Sequence, residues 1–339
     1  MRVCQLNILA PIWINEEYKV LPCYELYTSP QRLNVTLNYL KNINADIYCL
    51  CEVEEIQMDV IDKAFKSHHS FYTSNAEGFW SEFLGNARTR SACNRGDSAF
   101  LGNSEDTDKR RDKDTDTRSA SHVTAPEGAS TGKQLAVSQE RNKKWISNGT
   151  CVLLSTRMFD YGRHEYIDFG DGCRCTLVTA THKITDLNML IISVDFDAEV
   201  KFMEAFKLMN ELEKLREERN YDMILISGDY NFADISSFER EGYVEMVGTP
   251  KDTTPLPQGM IDHTLLLSGH QDIKYTGNVL QIHHEELPRN AGQRSPHSLS
   301  KNAGLRQRSP QDIISDLCQT VGTNGSDHYA TVIDIEIEI

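Results

Sequence analysis

The chain lacks long apolar runs and it lacks an excess of positive charge. No stretch of its 339 residues approaches the ~18 consecutive apolar residues of a membrane-spanning helix, so the sequence predicts no membrane span. Strand-like sequence begins at Arg2, so we expect no signal peptide and a cytoplasmic location, with a nuclear one left open. Lys and Arg number 35 against 50 Asp and Glu, a net charge of −15. Because such a surface repels long nucleic acids, a broad basic binding patch is excluded.

The cysteines lack the partners that a zinc site requires. There are 9, an odd number, and most lie inside apolar runs, as reduced core thiols do. Two Cys-X-Cys pairs, Cys49 with Cys51 and Cys173 with Cys175, lie in strand-like sequence without a neighbouring histidine. We therefore interpret them as core residues rather than as metal ligands.

Two stretches contain few large apolar residues, and we predict that both are insertions into a single domain spanning 1–339. Residues 85–143 are rich in Ser, Thr, Asp, Arg and Gly, which predicts a disordered polar insertion. Residues 288–311 hold 5 basic residues and no acid, which predicts a flexible basic insertion. The insertions are candidate contacts for protein partners, and the basic one is also a candidate contact for phosphate groups.

The rest of the chain alternates strand-like and helix-like segments, which is typical of an α/β fold. Apolar residues at helical spacing predict helices over 31–44, 54–65 and 199–219. Strict alternation from Thr331 to Ile339 predicts a final strand with one buried face.

Polar side chains follow two of the apolar segments directly. Met223 to Ile226 is a short apolar run, and Ser-Gly-Asp-Tyr-Asn (227–231) follows it, so Asp229 and Asn231 can share a direction. A carboxylate can hold a hard cation or a water, and an amide can donate to a phosphoryl oxygen. Near the end of the chain, Ser-Asp-His (326–328) places a second acid beside the one side chain that titrates near neutrality.

Two further strand ends carry polar groups, Asn7 in the first strand and Glu52 at the end of the second. Taken singly, such a residue is more often a helix cap or a solvated strand end. Several of them in chain order instead indicate a phosphate site, and the chain is interpreted as a metal-assisted phosphodiesterase.

Five motifs in this order resemble the endonuclease/exonuclease/phosphatase family. They are QLNILAP with Asn7, LCEVE with Glu52, GDYN (228–231), Ile-Asp-His (261–263) and Ser-Asp-His (326–328). The resemblance implies a DNase I-like sandwich of two mixed β-sheets flanked by helices. Within the family, the NILA sequence, Arg32 and Ala45-Asp46-Ile47 are most similar to the nocturnin, Angel and carbon-catabolite-repression deadenylases.

The resemblance also implies a Mg²⁺ or Mn²⁺ cofactor. Glu52 is then the direct metal ligand, because a hard carboxylate oxygen suits these ions, and Asp327 adds to the metal site. Asp229 lies at the metal as well and positions or deprotonates the attacking water.

Phosphate contacts are implied for the remaining motif residues. Asn7 and Asn231 hold phosphoryl oxygens. His328 contacts the scissile phosphate and is oriented by Asp262, and this pairing favours the charged imidazole.

Two positions depart from the family pattern. Cys51 stands where Gln commonly precedes the metal-binding Glu, and Asp195 stands where many relatives carry a phosphate-binding His. An anion at 195 repels phosphate unless it binds a second cation, so it is a possible altered phosphate or metal position. His182 is predicted at a different strand end and does not replace the missing His.

These expectations give a 3′-exoribonuclease or deadenylase-like enzyme acting on single-stranded, poly(A)-like RNA. One alternative is hydrolysis of another phosphoester, such as a DNA end, a cyclic phosphate or a phospholipid headgroup, since one fold hosts many chemistries. The other is a catalytically weak member of the family that binds RNA or a protein.

Overall fold

Two six-stranded β-sheets form the body of the protein. The computed structural model describes residues 1–14, 18–75, 148–170, 172–247, 252–255, 260–269, 273–280 and 310–337. They belong to one compact unit, Met1–Phe79 with Ile146–Ile339. The predicted insertion at 85–143 lies outside the described residues, as do 288–309 of the second one, and both stay predictions. The last two residues assigned to the second insertion instead begin a helix at Pro310.

The strands are numbered along the chain. They are β1 (Arg2–Asn7), β2 (Ile47–Glu54), β3 (His68–Ser74), β4 (Asn148–Ser155), β5 (Phe159–Asp168), β6 (Arg174–His182), β7 (Asn188–Asp195), β8 (Met223–Asp229), β9 (Val244–Glu245), β10 (Asp262–Ser268), β11 (Ile273–Leu280) and β12 (Ala330–Ile337). The spatial order is β11-β12-β1-β2-β4-β3 in the first sheet and β5-β6-β7-β8-β10-β9 in the second. Both sheets are mixed, because β1 runs parallel to β2 and β7 runs parallel to β8 while their other pairings are antiparallel.

The helices lie between strands along the chain. They are α1 (Tyr24–Thr28), α2 (Arg32–Ile43), α3 (Met58–Ala64), α4 (Lys201–Glu218), α5 (Ser236–Arg240) and α6 (Pro310–Asn324), with short 3₁₀ segments at Pro11–Trp13, Tyr18–Val20 and Glu55–Gln57. No helix in the described ranges is both long and apolar enough to cross a membrane.

The predicted helices and final strand are confirmed, with small shifts of their ends. The segment 54–65 divides into a 3₁₀ turn and α3 rather than one helix, and Glu54 still belongs to β2. Helix α2 ends where Asn44 takes a left-handed conformation with φ of 52°.

The core lies between the sheets, and helices cover their outer faces. Alternate residues of the strands point inward, so that Cys49 and Val152 of the first sheet join the same buried cluster as Ile191 and Leu225 of the second. The outer face of the first sheet packs on α2 and α3, and that of the second packs on α4. Strands covered on both faces read as continuous apolar runs, which explains the sequence of β2 and β8.

Strand direction brings the polar motif residues to one edge of the sandwich. Strands β1, β2, β7 and β8 all end there, and the antiparallel strands β10 and β12 begin there. In the second sheet, Asp229 is the register partner of both Asp195 and Asp262. In the first sheet, Asn7 is the register partner of Cys51, directly before Glu52.

Replacement of Gly228 by alanine should destabilise the protein by at least about 3 kcal/mol, because the added methyl group has no space. A Cβ at this position would lie 1.9 Å from the carbonyl oxygen of Val194 on the adjacent strand. Gly269→Ala is the matched control, since an added Cβ there meets nothing within 4 Å. Urea unfolding measures both variants, and equal midpoints would contradict the close approach of β7 and β8.

Candidate active site

Asn7 lies among the polar motif residues at the edge of the sandwich where β1, β2, β7 and β8 end. Its Nδ2 donates to Glu52 Oε1 at 2.8 Å and to Asp229 Oδ2 at 3.2 Å, and its Oδ1 accepts from the backbone N–H of Leu9 at 2.9 Å. Both amide hydrogens are therefore directed at carboxylates, one in each sheet. In this arrangement Asn7 orients the two acids, and it has no further amide hydrogen for a phosphoryl oxygen.

Glu52 is held at the end of β2 by a local distortion of the strand. Its φ of 55° is left-handed, and the pairing of β2 with β4 shifts register between Leu50 and Val53. Besides the bond from Asn7, its Oε2 accepts from the backbone N–H of Ala10 at 2.9 Å. Burial raises the pKa of Glu52 to about 7, with the hydrogen bond from Asn7 acting in the opposite direction.

Asp229 is buried and lies between the amides and the imidazole. Its Oδ1 accepts from the backbone N–H of Asn231 at 2.8 Å, and its Oδ2 lies 3.7 Å from His328 Nε2. Burial, and then the charge of Asp262, raise the pKa of Asp229 to about 6. A carboxylate with such a pKa accepts protons close to neutral pH.

His328 and Asp262 form the predicted pair. His328 Nδ1 lies 2.8 Å from Asp262 Oδ2, and Asp262 is fully buried. Burial alone would lower the pKa of His328, but the charge and hydrogen bond of Asp262, together with the charges of Asp229 and Asp327, raise the pKa well above its ordinary value. Nε2 of the ring is thereby turned toward Asp229 and can act as a cationic donor.

Asp327 has an incomplete set of hydrogen bonds. The side chain of this residue is 6 % exposed, and its Oδ2 accepts from the hydroxyl of Tyr18 at 3.1 Å. Its Oδ1 is buried and has no hydrogen-bond partner among the described residues. An ionised oxygen in that position is costly unless it coordinates a cation or accepts a hydrogen bond from water, so Asp327 fits a metal ligand.

Asn231 is hydrogen-bonded at the strand ends, and one hydrogen of its side-chain amide has no acceptor among the described residues. Its φ is 54°, and its Nδ2 donates to the carbonyl of Phe196 at 2.7 Å. The Lys201 ammonium donates to the Asn231 carbonyl. Since the amide has two hydrogens, the second remains for an oxygen of a bound phosphate.

Asp195 lies inside the same group of acids, and His182 does not. Burial, followed by the charges of Glu52 and Asp229, raises the pKa of Asp195 well above its ordinary value. His182 ends β6, which runs antiparallel to β7, so it lies at the opposite edge of the sheet, where its Nδ1 bonds to Thr185 at 2.8 Å. The prediction that His182 is at a different strand end is confirmed.

The donors present fit a hard divalent cation. Asp229, Asp262 and His328 offer ligand atoms within 4.8 Å of one another. Asp262 is already bonded through both oxygens, because Gln5 Nε2 donates to its Oδ1 at 2.7 Å. The ligands implied by the motifs are Glu52, Asp229 and Asp327. Both oxygens of Glu52 and of Asp229 accept hydrogen bonds as well, whereas Asp327 Oδ1 has no hydrogen-bond partner among the described residues and is the oxygen best placed to take a cation.

Three residues support the site through contacts that the sequence did not predict, although Arg32 belongs to the motifs quoted above. Gln5 donates a hydrogen bond to Asp262 and so orients the acid that pairs with the histidine. Tyr18 donates a hydrogen bond to Asp327. Buried Arg32 donates to the carbonyls of Ile8 and Gly325 at 2.8 and 2.7 Å, which joins the loops after β1 and before β12. Of these contacts, the sequence contains a signal only for that of Gln5. It is a second amide on the same face of the strand, two positions before Asn7.

Comparison with known proteins finds similarity in structure. No protein-family model and no curated protein matches the chain. The endonuclease/exonuclease/phosphatase from Bacteroides vulgatus is similar at a TM-score of 0.52, with 11 % identity over 99 % of this chain and 98 % of that one. A mannosyl-6-phosphatase from Bacteroides thetaiotaomicron gives 0.55, with 12 % identity over 99 % and 100 %. The human Nocturnin catalytic domain with bound sulfate gives 0.53, with 10 % identity over 100 % and 93 %. The predicted DNase I-like α/β sandwich is thus confirmed.

Divalent-metal affinity should fall at least about tenfold between pH 8 and pH 6, because only ionised carboxylates are ligands. Over that interval Glu52 and Asp229 take up protons, with pKa values of about 7 and 6. Calorimetric titration with Mg²⁺ or Mn²⁺ in buffers of different ionisation enthalpy measures both the affinity and the protons released. An affinity independent of pH would contradict the assignment of these two acids to the metal site.

Proposed function

We propose that the protein is a divalent-metal-dependent phosphodiesterase that acts on single-stranded RNA from its 3′ end. The observation that carries the proposal is the meeting, at one edge of the sandwich, of a buried histidine–aspartate pair with carboxylates, one of which has an unpartnered oxygen. Such a site supplies a cation-binding group, a proton acceptor and a positive donor within one small volume, as phosphoester hydrolysis requires.

The metal would be held by Glu52, Asp229 and Asp327. A bound Mg²⁺ or Mn²⁺ supplies Lewis-acid stabilisation of the charge that develops on phosphoryl oxygens. Asn7 keeps two of these carboxylates at a fixed separation, because it donates one hydrogen to each. The geometry is therefore set by the protein before a cation binds.

Asp229 accepts the proton of the attacking water in this proposal. Its raised pKa of about 6 places it near the pH at which general bases are most effective. His328 binds a phosphoryl oxygen as an imidazolium, with Asp262 holding the ring through Nδ1 and leaving Nε2 to donate. The remaining amide hydrogen of Asn231 contacts a second phosphoryl oxygen.

The RNA specificity rests on the resemblance of the motifs to deadenylases, and the similar fold of human Nocturnin is consistent with it. Other phosphoesters remain alternative substrates. Asp195 is the specific observation in favour of a catalytically weak, RNA- or protein-binding member, because this acid is the register partner of Asp229 at the same edge of the sandwich.

A panel of substrates tests the proposal. Purified protein with Mg²⁺ or Mn²⁺ is assayed against poly(A), mixed RNA, single-stranded DNA, abasic duplex, cyclic-phosphate RNA and a phospholipid headgroup ester. We expect shortening of RNA from the 3′ end, loss of the activity in EDTA and recovery on addition of Mg²⁺. A preference for another phosphoester would identify that ester, instead of RNA, as the substrate. Inactivity on all of the substrates would favour the binding role.

A further inference from the structure

Three aromatic rings form a column that begins at the strand ends of the site. The rings of Phe196 and Phe232 are parallel, with centroids 6.2 Å apart and an interplanar angle of 2°. The ring of Phe202 continues the column beyond Phe232, at 5.1 Å and 32°. Phe196 and Phe232 are buried, so the outermost member is supported by a rigid base.

The backbone fixes the column to the end of β8, where Asp229 and Asn231 lie. Phe196 donates its N–H to the carbonyl of Asp229 at 2.9 Å and accepts the side-chain amide of Asn231 at 2.7 Å. Phe232 follows Asn231 directly in the chain. Lys201, the residue before Phe202, binds the Asn231 carbonyl and lies 5.9 Å from the centre of the Phe202 ring.

The outermost ring is open to solvent. Phe202 is 65 % exposed although it is a large aromatic residue in the first turn of α4. Single exposed apolar residues are common on protein surfaces and by themselves indicate nothing. Phe202 differs because one side of its ring packs on the column while it remains largely exposed, next to a loop that is proposed to bind phosphate.

We propose that Phe202 is a stacking platform for a nucleobase of a single-stranded nucleic-acid substrate. This inference rests on the phosphodiesterase function proposed above and names the part of the substrate that the protein holds beside the scissile phosphate. Stacking suits this protein, because every base has a flat face and the contact needs no positive surface.

The charges around α4 limit the contact to a few nucleotides. Asp197 and Glu199 precede Phe202, and Lys201 is the cation beside its ring. Farther along the helix, a pocket of about 510 Å³ is lined by apolar and aromatic residues, Phe206 among them, together with three acids and Arg216. The acids of that pocket are Glu213, Glu217 and Glu241. A phosphate backbone is repelled there, so a base near the cleaved end is the part that stacks.

Binding and hydrolysis of two matched probes test the platform. One probe is a 5′-labelled oligoadenylate, and the other has the same backbone but lacks the bases of its last two nucleotides. Anisotropy in EDTA gives the affinity without hydrolysis, and the Mg²⁺ reaction gives KM and kcat. The variants are Phe202→Ala, Phe202→Leu and Phe202→Trp. Phe206→Ala is the matched control, since Phe206 is also 65 % exposed and lies one turn farther along the same helix face.

Phe202→Ala should weaken oligoadenylate binding about 5- to 100-fold and leave the abasic probe unchanged, since one stacked base is lost. Leucine should behave like alanine because it is apolar but not flat, and tryptophan should retain the wild-type affinity. The loss should be the same at two salt concentrations, because stacking releases no counterions. Phe206→Ala should bind both probes like the wild type.

Other outcomes separate this inference from the function on which it rests. An equal effect of Phe202→Ala on both probes, or no effect, overturns the platform even if the wild type hydrolyses RNA. The platform is also overturned if the protein binds neither probe and hydrolyses a phospholipid headgroup ester at a rate that Phe202→Ala does not change. A Phe202-dependent preference for the base-bearing probe, without hydrolysis of any phosphoester, supports the platform and overturns the phosphodiesterase proposal.

Discussion

Replacing Glu52 by glutamine should lower metal-dependent hydrolysis at least about a thousandfold, because it removes an anionic oxygen from the cation and from the developing charge. Asn7 and Ala10 each donate to one oxygen of Glu52, and the single oxygen of glutamine keeps one of these two bonds. The variant should also bind Mg²⁺ or Mn²⁺ more weakly, which calorimetric titration measures directly.

The fold of the Glu52→Gln variant should persist in the metal-free state. Burial raises the folded-state pKa of Glu52 from an ordinary 4.5 to about 7, so above that pH its ionised form destabilises the fold. Glutamine removes this cost at pH 8, but its NH₂ group replaces one acceptor, which loses a hydrogen bond worth about 1 kcal/mol. The free energy of unfolding at pH 8 should therefore be unchanged or somewhat higher, because a pKa shift of this size outweighs one hydrogen bond.

Glu211→Gln is the control for Glu52→Gln. Glu211 pairs on the surface with Lys214 at 2.6 Å, far along α4 from the site. It should keep full activity. Normal turnover by Glu52→Gln would show that the metal, if one binds, lies elsewhere.

Much of the fold could be predicted from the sequence because its patterns are local. The helical spacing of 31–44 reports a face that packs on a sheet, and α2 occupies Arg32–Ile43. The alternation from Thr331 reports one buried face, and β12 follows it. Segment 54–65 was less regular, because Glu54 completes the strand before a 3₁₀ turn begins. The pairing of strands into sheets came from the resemblance of the motifs and not from these patterns.

The chemistry of the site was less predictable, since it depends on which atoms meet across the two sheets. The sequence marks Asn7 as a buried amide, but only the structure shows both of its hydrogens on carboxylates. Tyr18 lies in a loop without periodicity, so nothing in the sequence connects it with Asp327. The pair of Asp262 and His328, which the resemblance of the motifs implied, is joined by a hydrogen bond of 2.8 Å.

Asp195 belongs to the group of acids at the edge of the sandwich where the motif residues meet. It ends β7 in register with Asp229. Burial and the neighbouring acids raise its pKa well above the ordinary value, which shifts its equilibrium toward the neutral carboxyl. A neutral carboxyl does not repel phosphate as an anion does, and this is compatible with catalysis.

Replacing Asp229 by asparagine should lower turnover by about 10²- to 10⁴-fold, the range typical of losing a general base. Asparagine keeps one oxygen for the backbone N–H of Asn231, which Asp229 Oδ1 accepts at 2.8 Å. Its NH₂ group then faces the amide of Asn7 and cannot accept a proton from water. Kinetics at saturating metal measure the loss, so that weaker metal binding does not account for it.

Asp222→Asn provides the matched control for Asp229→Asn. Asp222 directly precedes the same strand at its other end, where its Oδ2 accepts from the backbone N–H of Asn188 at 2.8 Å. Both substitutions keep one side-chain oxygen for a backbone N–H, so neither should disrupt its end of the strand. Only the change at 229 should remove turnover, because only that acid meets Asn7 and His328. Equal turnover by the two variants would place the proton acceptor elsewhere in the group of acids, with Asp195 as the next candidate.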